Sequence, residues 1–486
     1  MTHSFQSPLP FLGKKRENHI DVVGLNDKSL KAYIKAAKPA IKKQIENAGF
    51  EAKPKTTLVL SGENGDVHAI LFGLSTPMSL YDSAHAYNAA KSALSAKALK
   101  ATSFGLSGDD FSAEELNKLH TGWGLGSYKF DFYSEKEREE RPALTWHSKA
   151  DKKRVQSTLD AVLTLKNLVN TPANDCGPEE LESFARTLAK THEAKISVIK
   201  DEKLQEKNFP LIYTVGKASP RRPRLIELNW GKAGDPKITL VGKGVAFDTG
   251  GLDIKPSQFM RHMKKDMGGA AHALNLAHMI MALGLPLRLR VLIAAVENAI
   301  DGNAFRPGDV IKSRKGTYVE NTNTDAEGRL ILADTLTYAA ESEPDLIIDY
   351  ATLTGSARAA LGPDIPGMFS NNEDIARALQ DISFEAEDPV WNMPLYQNYH
   401  KHLSSSAADI VNSAGLPGDL IYSALFLESF LVEGKTSKKR PDWVHLDCYA
   451  WEQTGRPGRP AGGADTGMRA VFAFLENKYS KTKKKK

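Results

Sequence analysis

The stretch "KITLVGKG", Lys237 to Gly244, decides the fold class that the sequence predicts. It is a mostly apolar run of strand length, which is typical of a strand buried inside a sheet. Two more strand patterns follow at Leu287 to Glu297 and Asp345 to Gly355, and a helical pattern at Asp266 to Leu283 precedes both. Strands that alternate with helices indicate an α/β protein with a mixed sheet covered by helices.

The first part of the chain predicts a smaller α/β domain. Helical patterns run from Asp27 to Ala48 and from Leu80 to Leu99. Strand patterns accompany them at Lys55 to Ser61, Val67 to Gly73 and Ala101 to Ser107. The alternation of these short elements predicts a second, smaller α/β domain before the main one.

A charged segment closed by proline, "SEKEREERP" (Ser134 to Pro142), is the candidate linker between the two domains. The resulting prediction has four parts: an N-terminal α/β domain over residues 1–145, a connecting helix over 146–170, a larger C-terminal α/β domain over 171–478, and a basic disordered tail over 479–486.

Composition excludes several classes of protein. The 486 residues are 41% hydrophobic and 25% charged, which is typical of a globular chain rather than a fibrous or disordered one. The two cysteines, Cys176 and Cys448, form neither a disulfide framework nor a cysteine-rich zinc cluster. No apolar run approaches the ~20 residues that span a bilayer, and the start does not read as a secretion signal. We therefore expect a cytoplasmic protein without a membrane segment.

The common nucleotide and hydrolase motifs fail on inspection. Gly242 and Gly244 follow a strand, but a dinucleotide fingerprint needs a third glycine where Phe247 stands. A Gly-Lys-Thr occurs in "EGKTS", yet the earlier glycine of a phosphate loop would fall at Ser429. Neither Gly-x-Ser-x-Gly nor His-Glu-x-x-His is present. The chemistry therefore has to come from other residues.

One candidate group lies in "GKGVAFDTGGLDIKPSQFMRHMKKDMGGAA", Gly242 to Ala271. Lys243, Asp248, Lys255 and Asp266 stand there among glycine-rich turns at the carboxyl end of the predicted strand. Ligands of α/β sheets bind beyond the carboxyl ends of strands, and glycines allow close approach of the backbone.

A second candidate group is "NTDAEGRL", Asn323 to Leu330, with Asp325 and Glu327 two residues apart. Together with Asp248 and Asp266 they make four carboxylates, which is more negative charge than one pocket holds without cations. A pair of divalent metals ~3.5 to 4 Å apart would neutralise them, and oxygen ligands suit Zn²⁺, Mn²⁺, Mg²⁺ or Co²⁺. Taken alone, the stretch also fits a turn that opens a helix, with a glycine that lets the chain bend.

These strings, "NTDAEGRL" with "VGKGVAFDTGG" and "KKDMGGAA", resemble the leucyl aminopeptidase family, the two-metal cytosol aminopeptidases. Further matching strings are "NTPAND", "RPGDV", "YATLTG" and "GMRAVFAFL", so the resemblance covers about residues 165 to 475. It implies a catalytic C-terminal domain that releases N-terminal amino acids from peptides, with a broad preference for leucine-like residues. It also implies assembly as a homohexamer.

The resemblance also implies roles for single residues. The implied metal ligands, for two Zn or Mn ions, are Lys243, Asp248, Asp266, Asp325 and Glu327. Lys255 and Arg329 match the two catalytic residues that are not ligands. In the implied mechanism a hydroxide that bridges the metals attacks the scissile carbonyl, Lys255 polarises that carbonyl, and Arg329 holds a bicarbonate ion that shuttles the proton. A neutral lysine ligand requires that the two dications depress the pKa of Lys243.

The pocket for the first substrate side chain is implied at Met263, Asn323, Thr352, Leu353 and Gly355. Two features depart from the family pattern: the acid Asp253, and the segment "NSAGLPGDL" from Asn412 to Leu420. Two alternatives stay open, a DNA-binding or regulatory role suggested by the lysine-rich end, and an inactive member that keeps the fold.

Overall fold

The computed structural model describes residues 9–12, 14–108, 110–135 and 139–480. The chain forms two compact units. Unit 1 comprises Met1–Thr164 with Gln453–Ala461, and unit 2 comprises Leu165–Glu452 with Gly462–Lys486. The linker predicted at Ser134 to Pro142 lies partly outside the described residues, and so do the last six lysine-rich residues of the predicted tail.

Unit 1 is built on a six-stranded sheet, in which only the β3–β4 pair is antiparallel and the order is β1-β6-β5-β2-β4-β3. Its elements are β1 (Phe11–Leu12), β2 (Asn18–Leu25), α1 (Asp27–Ala36), α2 (Pro39–Ala48), β3 (Thr57–Ser61), β4 (Val67–Gly73), α3 (Asp82–Ala93), α4 (Ala96–Ala101), β5 (Thr102–Gly108), α5 (Ala113–Gly126), β6 (Ala143–Thr145) and the first part of α6 (Lys152–Asn170).

Both long helices predicted in unit 1 are interrupted. The first divides into α1 and α2, because Pro39 lacks the N–H that a helix interior needs but suits the first position of a new helix. The second divides into α3 and α4, where the Ser95 hydroxyl accepts a hydrogen bond from the Ala98 amide and caps the new helix. The strands β3, β4 and β5 match their predicted positions to within two residues.

Unit 2 is built on an eight-stranded mixed sheet in the order β15-β14-β17-β13-β9-β10-β8-β7, which confirms the predicted fold class. After α6 its elements are α7 (Pro178–Thr191), β7 (Lys195–Lys200), α8 (Lys203–Glu206), α9 (Pro210–Gly216), β8 (Arg224–Trp230), β9 (Lys237–Asp248), α10 (Ser257–Met260), a 3-10 helix (Met263–Met267), α11 (Gly268–Leu283), β10 (Arg288–Asn298), β11 (Val310–Lys312), β12 (Tyr318–Glu320), α12 (Glu327–Ala340), β13 (Leu346–Ala351), α13 (Gly355–Leu361), β14 (Gly367–Ser370), α14 (Glu373–Glu385), β15 (Trp391–Asn392), a second 3-10 helix (Gln397–Leu403), β16 (Ile410–Val411), α15 (Asp419–Glu428), β17 (Asp442–Asp447), β18 (Trp451–Glu452), β19 (Gly462–Gly463) and α16 (Met468–Ser480).

Helices cover both faces of the central strand β9. Val241 packs in one apolar cluster with Leu330 and Leu336 of α12. At the next position, a Cβ on Gly242 would lie 2.7 Å from the Ala270 Cα in α11. Since neighbouring strand residues point to opposite faces, α11 and α12 lie on opposite sides of the sheet. This explains why β9 reads as a nearly continuous apolar run.

The four central strands β17, β13, β9 and β10 are parallel, so their carboxyl ends meet at one edge of the sheet. The residues at these ends are Asp447, Ala351, Asp248 and Asn298. Polar side chains at the carboxyl edge of a parallel sheet are where α/β proteins bind ligands. Among the described residues, no helix has the length and apolar character needed to cross a membrane.

Candidate metal centre

A tight turn after β9 places Lys255 beside the end of the strand. Gly250 and Gly251 have φ of +86° and +64°, in the left-handed region that glycine adopts without strain. A Cβ on Gly250 would also lie 2.5 Å from the Asp253 carbonyl oxygen. The turn closes with the Lys255 amide donating to the Thr249 carbonyl at 2.9 Å. Glycine is therefore required at this bend.

Lys243 connects the two halves of the site. Its side chain is 4% exposed, and its Nζ lies 2.7 Å from Asp266 Oδ2 and 2.9 Å from Glu327 Oε1. It also donates a hydrogen bond to the Thr352 carbonyl at 2.9 Å. Gly328 leaves the room for this side chain, since a Cβ there would meet Lys243 Cε at 2.6 Å and Nζ at 2.7 Å.

The remaining acids meet on the other side of the site. Ligand oxygens of Asp248, Asp325 and Glu327 all lie within 4.8 Å of one another, in a group able to hold a metal ion. Lys255 forms ion pairs with Asp248, at 2.8 Å, and with Asp325. All five predicted ligands and Lys255 thus come together in one cluster, in which Asp325 is the most exposed member.

Three carboxylate oxygens in this cluster are buried without an acceptable hydrogen bond: Asp266 Oδ2, Asp325 Oδ1 and Glu327 Oε1. Each lies close to a lysine ammonium, but the geometry is that of an ion pair and not of a hydrogen bond. Buried polar atoms are nearly always satisfied, so carboxylate oxygens that have only an ion pair and no hydrogen bond can take a further cation. The residues present fit divalent metals.

The pKa shifts describe the same excess of negative charge. Burial raises the pKa of Glu327, and the neighbouring charge of Asp248 raises it further. The pKa of Asp325 is raised by the same two causes in the same order. Burial pulls the pKa of Lys243 down, but Asp266, Glu327 and Asp248 outweigh burial and the net direction is upward. Among the protein groups alone, Lys243 is therefore an ammonium that offsets the acids.

A hydrogen-bonded clasp joins the Asp325 segment to the turn after β9. The Thr324 amide donates to Asp253 Oδ2 at 2.7 Å, and the Thr324 hydroxyl donates to the Gly250 carbonyl at 2.6 Å. Asn298 Nδ2 donates to Asp248 Oδ1 at 2.8 Å and to the Thr324 carbonyl at 3.1 Å. Asp253, an acid that departs from the family pattern, thus joins the turn after β9 to the segment that carries Asp325.

The residues predicted to hold the first substrate side chain border the cluster. The Thr352 hydroxyl donates to Asp266 Oδ1 at 2.8 Å, and the Asn323 side chain accepts from the Asp325 amide at 2.8 Å. Leu353 follows Thr352 directly. Met263 begins the 3-10 helix that contains Asp266, and Gly355 begins α13, so these two lie on adjoining segments. Their contact with a substrate remains a prediction.

The loop after β13 is held by a residue that the sequence did not single out. Asp447, at the end of β17, accepts hydrogen bonds through Oδ1 from the Leu353 amide at 2.9 Å and through Oδ2 from the Thr354 hydroxyl at 2.7 Å. The Thr354 amide also donates to this carboxylate. The strand β17 was not predicted from the sequence, and an acid at the carboxyl end of that strand is the signal that could have identified Asp447.

Arg329 lies in the first turn of α12 with its side chain only 4% exposed. Its Nη1 donates to the Asn412 carbonyl at 2.7 Å, and its Nη2 donates to Asp419 Oδ1 at 3.0 Å. Both partners belong to the segment "NSAGLPGDL" that departs from the family pattern. Nothing local in the sequence connects Asp419 to Arg329, since they are 90 residues apart.

An α/β sheet with a cluster of carboxylates and lysines at its carboxyl edge is an arrangement suited to a metal-dependent hydrolase. Two family models match the chain. The "Cytosol aminopeptidase family, catalytic domain" model matches residues 164–472, and the "M17 aminopeptidase, N-terminal domain" model matches residues 20–144. The chain therefore belongs to the cytosol aminopeptidase family, whose members are dinuclear metallopeptidases, and it is a metal-dependent aminopeptidase.

Individual relatives agree with this assignment. A probable cytosol aminopeptidase from Aquifex aeolicus is 38% identical over 376 residues, covering 75% of each chain. Peptidase B from Pectobacterium atrosepticum is 39% identical, covering 67% of this chain and 76% of its own. The crystal structure of cytosol aminopeptidase from Coxiella burnetii superposes with a TM-score of 0.87 at 41% identity, covering 96% of this chain and 99% of its own. The bottromycin maturation enzyme BotP in complex with Mn has a TM-score of 0.83 at 29% identity, covering 95% and 99%.

Replacing Gly328 by alanine tests the close approach of α12 to Lys243. The new methyl group would force the Lys243 side chain away from Asp266 and Glu327, and misplacement of a site group by about 1 Å costs ~100-fold in rate. Alanine favours helix by about 1 kcal/mol over glycine, but separating the buried ion pairs costs about 3–5 kcal/mol, so we expect lower activity together with a lower Tm. The control is Gly302→Ala, whose Cβ meets nothing within 4 Å. Equal loss in both variants would refute the explanation.

Metal removal should destabilise the protein more at high pH. Without metal, the pKa of Glu327 is about 8 in the folded protein, against 4.5 in the unfolded chain. The protonated carboxyl therefore stabilises the fold fully below pH 4.5, and this stabilisation is lost as the pH rises toward 8. Protons also compete with metal for this carboxylate. A metal at about 100 times its Kd adds ~2.7 kcal/mol to the free energy of unfolding. We expect the Tm difference between loaded and chelated protein to be larger at pH 8 than at pH 6, and an equal difference would contradict the assignment of Glu327.

Proposed function

We propose that this aminopeptidase removes leucine-like residues from the N-termini of short peptides, and that Lys243, Asp248, Asp266, Asp325 and Glu327 hold its two divalent metals. The observations that carry the proposal are the carboxylate oxygens of Asp248, Asp325 and Glu327, which lie within 4.8 Å of one another, and the three buried carboxylate oxygens of the cluster that have no hydrogen bond. Two divalent metals supply a Lewis acid and make a bound water acidic enough to act as a nucleophile at neutral pH.

The protein's own residues would then position the reacting groups. Lys255 is 13% exposed and is fixed between Asp248 and Asp325, so its ammonium can donate a hydrogen bond to the scissile carbonyl oxygen as negative charge develops there. In the loaded enzyme Lys243 would coordinate as a neutral amine, because nearby dications lower the pKa of an ammonium. Thr352 orients Asp266 by a hydrogen bond to the oxygen that does not face Lys243.

The preference for leucine-like residues is supported by the residues around the loop after β13. Leu353 is partly buried against the large apolar cluster of unit 2, and Asp447 holds its amide in place. Met263, half-buried at the start of the 3-10 helix, has a flexible side chain that accommodates several shapes. A broad rather than a strict preference follows, since apolar pockets discriminate weakly between aliphatic side chains.

The bicarbonate ion implied by the resemblance remains a prediction, and the residues around Arg329 fit it poorly. The guanidinium already donates to Asn412 and to the carboxylate of Asp419. A bicarbonate ion beside Arg329 would be repelled by the negative charge of Asp419. For this reason no step of the reaction is assigned to bicarbonate.

Metal dependence and the ligand set can be tested together on leucine p-nitroanilide. Protein stripped of metal should be inactive, and added Zn²⁺, Mn²⁺ or Co²⁺ should restore hydrolysis, with Mn²⁺ favoured by the Mn-bound relative BotP. Asp325→Ala and Glu327→Ala should lose at least about 100-fold in kcat/KM, since ligand geometry is essential to the activation of water.

The control for these variants is Asp381→Ala, which removes an exposed acid from α14 and should leave the rate unchanged. A series of aminoacyl p-nitroanilides should show leucine and methionine ahead of glycine and aspartate. Failure of every metal to restore activity, or full activity of both ligand variants, would refute the proposal.

We further propose a homohexamer in the cytoplasm, as the resemblance implies. Large apolar side chains exposed on unit 2, such as Phe259, Phe384 and Trp391, are available for subunit contacts. Sedimentation velocity should give six times the 53.2 kDa chain mass, and a monomer would refute the assembly. The location is supported by relatives named cytosol aminopeptidases and can be checked by cell fractionation. No observation favours nucleic-acid binding, which is not proposed.

A further inference from the structure

Arg329 is a buried cation whose counter-ion comes from another helix. Its side chain is 4% exposed, and its Nη2 lies 3.0 Å from Asp419 Oδ1. Its Nη1 donates a hydrogen bond to the Asn412 carbonyl, and its Nε is buried with no acceptor. The ion pair with Asp419 is therefore the only contact of the guanidinium with a negative charge that the structure records among the described residues.

The fold fixes the position of Asp419. It is the first residue of α15 and follows Gly418, whose φ of +100° turns the chain into the helix. The Ser423 hydroxyl donates to the Asp419 carbonyl at 2.6 Å and approaches Oδ1 at 3.3 Å. A carboxylate in the first turn of a helix is favoured by the helix dipole. Because its side chain is 36% exposed, one side of the carboxylate remains open.

Charge balance at Arg329 leaves little attraction for a dissolved anion. One carboxylate already neutralises the guanidinium, and a second anion would be repelled at short range by Asp419. The remaining Nε is buried and has no acceptor, so a dissolved anion would reach the fork formed by Nε and Nη2 only if neighbouring protein atoms moved. An anion tethered to the chain also loses less entropy than a free ion when it pairs.

We propose that the Asp419 carboxylate is the built-in anion of Arg329 and takes the place of an exchangeable bicarbonate, so that peptide hydrolysis by this enzyme is independent of bicarbonate. The inference rests on the proposed function, because Arg329 is placed at the reaction site by the family resemblance. It follows from a residue in the segment that departs from the family pattern, not from the features that the chain shares with the family.

The kinetic test compares parent, Asp419→Ala and Asp419→Asn with added Mn²⁺, in buffer purged of carbon dioxide and with bicarbonate added back. We expect parent kcat to be unaffected by bicarbonate. The kcat of both variants should fall by about 10²–10⁴-fold, the range expected for loss of a positioned proton-transfer group. Added bicarbonate should restore the activity of Asp419→Ala only, because alanine leaves space beside Arg329 that the asparagine side chain still fills.

The matched control is Glu341→Gln, which breaks an ion pair of the same kind at Arg314. That carboxylate is 35% exposed, close to the value for Asp419, and its loss should leave both kcat and the response to bicarbonate unchanged. Stimulation of the parent by bicarbonate would overturn the inference, and so would parent-like activity of Asp419→Ala. A purely structural role for Asp419 predicts activity in Asp419→Asn and no rescue of either variant.

A binding measurement separates this inference from the proposed function. ¹³C-bicarbonate should show line broadening with the Zn-loaded Asp419→Ala protein, but not with the parent or with Asp419→Ala combined with Arg329→Ala. If the parent protein broadened the ¹³C-bicarbonate signal and Arg329→Ala did not, the inference would be overturned, even if no variant hydrolysed peptides. Absence of hydrolysis with every metal refutes the proposed function alone.

Discussion

Four carboxylates converge beyond the carboxyl end of β9, and their mutual repulsion must be offset by positive charge within the same buried space. With all four carboxylates ionised, as metal binding requires, the ion pairs of Lys243 and Lys255 offset only part of the negative charge. Without metal, this cluster of like charges lowers the free energy of unfolding, whereas bound divalent metals make it stabilising. The affinity for metal is thus the consequence of an electrostatic cost that the fold keeps in place.

The surrounding structure keeps these like charges from moving apart. Asn298 and Thr324 tie the turn after β9 to the segment that carries Asp325. Asp447 fixes the loop after β13, and Thr352 in that loop holds one oxygen of Asp266. Three parallel strands supply these anchors at their carboxyl ends, and the segment before α12 supplies the rest. Rigid strand ends hold their hydrogen-bonding groups in place better than a loop does, so these anchors keep the four acids close together.

The sequence predicted the fold class and the residues that form the cluster, because those signals are local: strand patterns, glycine turns, and acids at fixed spacing. It placed Gly328 in a bend, whereas the structure shows it inside α12, making room for Lys243. The long-range partners were not predictable, since no local pattern relates Asp447 to Leu353 or Asp419 to Arg329 across about 90 residues. The break at Pro39 could have been foreseen from proline chemistry.

Arg329 and Lys243 illustrate two ways of stabilising a buried cation near a metal site. Lys243 is balanced by Asp266 and Glu327, so bound metals would replace it as counter-charge and leave it free to coordinate. A buried arginine guanidinium needs an anion beside it, because burying an unpaired charge is costly. Asp419 provides one from within the chain, at the helix end where a carboxylate is favoured. A cation that cannot be neutralised is therefore paired with an acid that cannot diffuse away, which removes the need for an ion from solution.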